Sequence, residues 1–332
     1  MWRTIPGLLL FFWACSGADE GTGLPLQVVA DIDLPGDTSR FDYESYDAQR
    51  HLMFIAHLGA SEVLAFDTEG RRVVARIAGI SHVHGVLAIP ELGIVYASAT
   101  GTDEVVAIDV GQMKIIARTP GGTYPDGMAY APQAHKLYVS DESGQTETVV
   151  DVQSNQRIAT IPLGGEVGNS QYDPGSKHIF VNVQSRRQLV EIDPATDRIV
   201  GTDSLPGAKG NHGLLIEPER RLAFIACEGN DKLLVFDLGT RRVTRSFPVG
   251  KDPDVLAYDA ALGLLYVAGE SGVASVFKID VGGATKIADG TVGPNAHVVA
   301  VDPSTHLAYF PIRDLSGRPV LRIERPLAIE KH

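Results

Sequence analysis

Lys136–Gly165 reads KLYVSDESGQTETVVDVQSNQRIATIPLGG. Three short runs, LYVS, ETVVDV and RIATIPL, are rich in β-branched and aromatic residues and are separated by Asp, Ser, Gly and Asn. Branched side chains suit a pleated surface, and the separating residues suit tight turns, so the stretch reads as strands and turns. A fourth run, GMAYAP at Gly127–Pro132, precedes it.

The same paragraph of sequence recurs along the chain. First strands open at Phe41, His84, Asp126, Gly168, His212, Asp254 and His297, at spacings of 43, 42, 42, 44, 42 and 43. Second strands keep step as LMFIAH, GIVYAS, KLYVSD, HIFVNV, LAFIAC, LLYVAG and LAYFPI, and third strands follow in each unit. A period near forty residues with four strands per unit predicts an all-β chain, a single seven-bladed β-propeller with four-stranded blades. The last unit runs out after its third strand at Pro319–Pro326. Gln27–Gly36, QVVADIDLPG, matches the fourth-strand pattern and is expected to pair onto that blade, closing the ring and hiding two sheet edges.

These residues resemble the YVTN/YncE-type propeller repeat, with its aromatic-Val pair, its Val-x-x-Ile-Asp third strand and its Thr-Ile-x-x-Gly fourth strand. The resemblance covers roughly 27 to 326 and implies the fold. It implies little about function, since that family includes binding, surface and enzyme-associated proteins and a fold does not fix chemistry.

Outside the repeat, residues 1–18 read as an export signal. Arg3 gives a thin basic start, Ile5–Trp13 an apolar core too short to span a membrane stably, and small residues follow at 14–18. Cleavage after Ala18 gives a soluble secreted protein, whereas lipoprotein processing would leave Cys15 acylated. Residues 19–26 are then a leader, 27–326 the propeller and 327–332 a tail. The expected place is the periplasm or cell surface, with no transmembrane span in the mature chain. Cys227 is the only other cysteine, so the mature chain has no internal disulfide. A small buried hydrophobe is the ordinary role for such a thiol, and a ligand role is the alternative. The net charge of −12 without a basic stripe argues against a nucleic-acid partner. A monomer with a protein or small-molecule partner is expected.

Phosphate loops, His-Glu-x-x-His, Gly-x-Ser-x-Gly and Cys-x-x-Cys are absent. The chemistry is therefore positional. First strands of a propeller lie innermost, so the seven opening residues should ring the channel mouth, and five of them are His or Asp. His84, Asp126, His212, Asp254 and His297, with Glu228 and Glu270 at the ends of second strands, form the expected ligand or metal set. Imidazole and carboxylate converging on one mouth suit one divalent metal or acid–base chemistry. Asp141, Glu142, Asn211, Asn230 and Arg313 are further polar neighbours. A polar residue at these openings can instead cap a turn and hydrogen-bond backbone between blades. His57 and His82 read as peripheral turn residues. Asp67, Asp109, Asp193, Asp237 and Asp280 recur after third strands as turn formers.

Two function classes stay open. The first is an exported binding or scaffold protein, which predicts no turnover. The second is a metal-assisted hydrolase or lyase of the propeller lactonase or streptogramin-lyase kind, with His212 or His297 as base and Glu228 or Glu270 on the metal.

Overall fold

The computed structural model of the chain describes residues 23–327; the export segment and Cys15 lie outside them. The described residues form seven four-stranded antiparallel sheets, each built from consecutive strands except the last. The third blade is typical: Pro125–Ala131, Lys136–Asp141, Thr146–Asp151 and Gln156–Pro162 lie side by side from the channel outward. The last sheet combines Ala300–Asp302, Leu307–Ile312 and Val320–Pro326 with Leu26–Asp33 from the other end of the chain. Ring closure by the N-terminal strand is as the pattern predicts.

Burial explains the composition of each strand. Second strands are covered on both faces by neighbouring blades and are mostly apolar, wholly so in Leu222–Cys227. Fourth strands form the outer rim and alternate exposed with half-buried residues, as in Lys114–Pro120. Seven apolar clusters fill the core, one at each junction between blades. Phe41, Met53, Ile55 and Leu64 of the first blade, for example, meet Tyr309, Leu321 and Ile323 of the seventh. The recurrent aspartates do turn duty: Asp67, Asp109, Asp193, Asp237 and Asp280 each accept backbone N–H bonds two or three residues on.

The closing blade carries one discordant residue. Glu324 stands in the register where the other blades place Phe66, Ile108, Val150, Ile192, Phe236 and Phe277. Its carboxylate oxygens are buried without a hydrogen-bond partner, and so is the Tyr266 hydroxyl, which feels the Glu324 charge. Burial pushes Glu324 from an ordinary value of 4.5 up to about 7, with Arg322 opposing and Asp31 adding. A folded value above the unfolded one means the native state holds the proton longer. Stability should thus fall as pH rises from about 4.5 through about 7. Glu324→Gln should abolish that slope, gaining about 3 kcal/mol at pH 8 relative to its effect at pH 4.5, measured by denaturant melts at both values. A pH-independent difference between variant and parent would refute the assignment.

Candidate functional site at the channel mouth

The register of the first two strands of each blade places the ring. Pro125 faces Asp141, Val167 faces Val183, Asn211 faces Cys227 and Pro253 faces Gly269, so the next residue of each first strand is equivalent. Those residues are Asp126, Gly168, His212 and Asp254, with His84 equivalent in the second blade. In the seventh, Ala300 pairs with Tyr309, which makes His297 the counterpart. In the first, Ser45 pairs with Phe54, which makes the counterpart Asp42 and not Phe41. Phe41 instead turns into the core and stacks on His57 at 4.2 Å between ring centroids. His57 is fully buried, not a peripheral turn residue, whereas His82 is exposed as expected.

Inter-blade hydrogen bonds fix the ring backbone. Ser98 Oγ accepts from Gly85 N at 2.7 Å and donates to Asp126 O at 2.8 Å. Asn182 Nδ2 donates to the carbonyls of His212 and Gly213 at 3.0 and 3.1 Å. The backbone at Gly85, Asp126, His212 and Gly213 is therefore held by buried polar staples on second strands.

Two groups of donor atoms converge on this frame. Asp42, Asp254 and His297 form one; His212, Glu228 and Asp254 form the other, and within each group the donor atoms lie within 4.8 Å of one another. His297 Nδ1 donates to Asn295 O at 2.9 Å, which leaves Nε2 a bare lone pair. That nitrogen is buried without a hydrogen-bond partner and points at Asp254 Oδ2 and Glu270 Oε1, each 3.9 Å away. Burial holds the His297 ring below the usual imidazole range. Asn295, in a left-handed backbone conformation, also donates its side-chain amide to Glu270 Oε2 and so orients two members of the site.

The His212 side of the mouth has the opposite polarity. His212 Nε2 lies 3.5 Å from Asp126 Oδ2 and 3.8 Å from Asp254 Oδ1. Burial works against its charge, but Glu228, Asp254, Asp126 and Glu142 outweigh burial and push it up to about 9. Burial raises Asp126 to about 6 against the pull of His212 and His84, raises Glu228, and holds Asp254 well above the carboxylate range. Asp126 Oδ1 and Asp254 Oδ1 are buried without hydrogen-bond partners.

Two residues absent from the sequence reading complete the mouth. Arg40 donates to Asp42 Oδ2 at 3.1 Å, pairs with Glu270 and approaches Asp254 Oδ2 to 4.0 Å. Tyr43 stands where other blades have Gly85, Gly127 or Gly213 and crosses the channel. Its hydroxyl donates to Asn169 Oδ1 at 2.7 Å and lies 3.2 Å from His212 Nε2. Beyond this bar, deeper along the first strands, lies a chamber of about 220 Å³ bordered by Glu44, Ser170 and Gln171. The signal for Asp42 was its spacing of 42 to His84, the commonest in the chain; for Tyr43 there was none beyond its place after Asp42.

The remaining expected residues belong to neither donor group. His84 belongs to neither group: it sits on the rim with Nδ1 at 3.0 Å from His82 O and Nε2 at 3.1 Å from the Tyr124 hydroxyl. Asp141 is consumed by Thr146, Thr148 and Gly122 N. Glu142 accepts from Gln184, Asn211 bonds Asn182 and Gln188 O, Asn230 bonds Gly207 O, and Arg313 is exposed. Cys227 lies in the core with its thiol pushed up to about 12 by burial, so it is a packed hydrophobe.

No protein-family model matches this chain, and none of the curated proteins does. Solved structures do resemble it. A chain of Kuenenia stuttgartiensis hydrazine synthase is similar at 16% identity and a TM-score of 0.75, covering 92% of this chain and 99% of that one. A chain of a mitotic checkpoint complex gives 11%, 0.75, 98% and 99% on the same measures, and U3-55K gives 13%, 0.74, 90% and 99%. Identities this low establish architecture alone: the chain is a seven-bladed β-propeller.

Proposed function

We propose that this chain is an exported binding protein whose channel mouth takes a divalent cation. The observation that carries the reading is the bare Nε2 of His297, buried without a partner and aimed at two carboxylates. Lone pairs facing lone pairs in a low-dielectric site are costly unless a proton or a metal lies between them. Nitrogen and carboxylate donors together suit zinc or manganese better than the all-oxygen cage of calcium. Among the described residues no helix is long and apolar enough to cross a membrane, and export rests on the apolar run Ile5–Trp13.

Calorimetric titration with zinc should give saturable binding that His297→Ala weakens by well over about 100-fold, beyond the roughly 10–100-fold that removal of an outer-shell partner costs. His84→Ala should leave it unchanged. Absence of binding, or equal loss from both variants, would overturn the reading.

A further inference from the structure

The two donor groups are not independent, because Asp254 belongs to both. Its oxygens diverge: Oδ1 faces His212 Nε2 at 3.8 Å, and Oδ2 faces His297 Nε2 at 3.9 Å. We infer that the mouth takes a pair of divalent cations bridged by Asp254, one with Asp42 and His297, the other with His212 and Glu228. The inference rests on the cation reading above and adds its stoichiometry and its shared ligand.

Geometry supports the pair. An ion about 2.1 Å from each donor spans donors up to about 4.2 Å apart, so each His–Asp254 gap admits one with little movement. A carboxylate offering one oxygen to each of two ions is the usual bridge where metals lie about 3.5–4 Å apart. Charge points the same way. Asp42, Asp126, Glu228, Asp254 and Glu270 gather around the mouth with Arg40 the one guanidinium paired among them. With all five carboxylates ionised and His212 neutral, as ligation requires, the set carries −4 with Arg40 included, so one dication leaves it at −2 and two neutralise it.

Arg40 gives the subsites different characters. Its guanidinium lies against Asp42, Glu270 and Asp254 Oδ2, all on the His297 side. It is a tethered cation that an ion at this subsite must displace, so Arg40→Gln should tighten that subsite more than the other, which it reaches only through Asp254 and Glu228. Among the described residues the His212 side has no such guanidinium, but its imidazole must surrender the contact with Tyr43 and Asp126 to ligate.

Manganese(II) titration of the full chain, followed by calorimetry and electron paramagnetic resonance, tests this directly. Two equivalents are expected, with an exchange-coupled spectrum once more than one is bound. His297→Ala and His212→Ala should each remove one equivalent, whereas Asp254→Asn should weaken both. One equivalent with an isolated-ion spectrum would sink the pair while leaving the single-cation reading intact. Two uncoupled ions would sink the bridge, and no binding would sink both proposals. The wild-type spectra decide even if a variant folds poorly.

Discussion

Gly213→Ala is expected to cost about 3 kcal/mol or more in a denaturant melt, above the usual range for an added methyl group in a packed interior. A Cβ at this position would lie 1.9 Å from the backbone carbonyl oxygen of Asp254, with Leu256 Cδ1 at 2.8 Å and Ala226 Cβ at 3.0 Å. The obstructing atom is main chain, so no rotamer change relieves the clash. Two neighbouring innermost strands must separate, and the Gly213 carbonyl is already held by Asn182. Because the displaced carbonyl belongs to Asp254, cation binding should weaken along with stability. Gly207→Ala is the control: nothing lies within 4 Å of its added Cβ, and only its φ of 87° opposes the change, at about 1 kcal/mol. Comparable melts for the two variants would refute the close-approach argument.

Removing the chain through Asp33 should have the larger effect, lowering the melting temperature by more than about 10 °C and promoting aggregation. Leu26–Asp33 pairs along the whole of Val320–Pro326, so its loss exposes a hydrogen-bonding edge. It also removes the bidentate pair of Asp31 with Arg322 Nε and Nη2, at 2.8 and 2.7 Å, and the contact of Asp33 with Arg318 at 2.9 Å. The buried Leu24 and Leu26 leave the junction of the sixth and seventh blades as well. A synthetic peptide spanning residues 24–36 should restore the fold in trans by adding a strand to the vacated edge. An unchanged melt after truncation would mean the ring does not depend on this closure.

Much of this architecture was legible because the strand code is local and repeated. Four strand positions agree in register, and Gln27–Gly36 carries the fourth-strand pattern at the wrong end of the chain, which announces closure. The site was legible only in part. His212, Asp254 and His297 follow from ring position, since each opens a first strand with the usual polar–Gly or polar–Val pair. Asp42 was displaced by one residue because RFDYESYD has no such pair, and only strand pairing fixes its phase. A slip of one residue turns a side chain from channel to core, which is the difference between Asp42 and Phe41. Arg40 and Tyr43 act across blades, on partners far away in sequence, and no local pattern reports that. His57 misled for the same reason: its partner Phe41 lies across a strand pair, not beside it in the chain.

Tyr43 has a consequence for traffic. Its hydroxyl links the first blade to the fourth and fifth across the axis, so a phenol ring stands in the channel below the rim. A solute entering from the far face meets the Tyr43 side chain before it reaches the acidic rim.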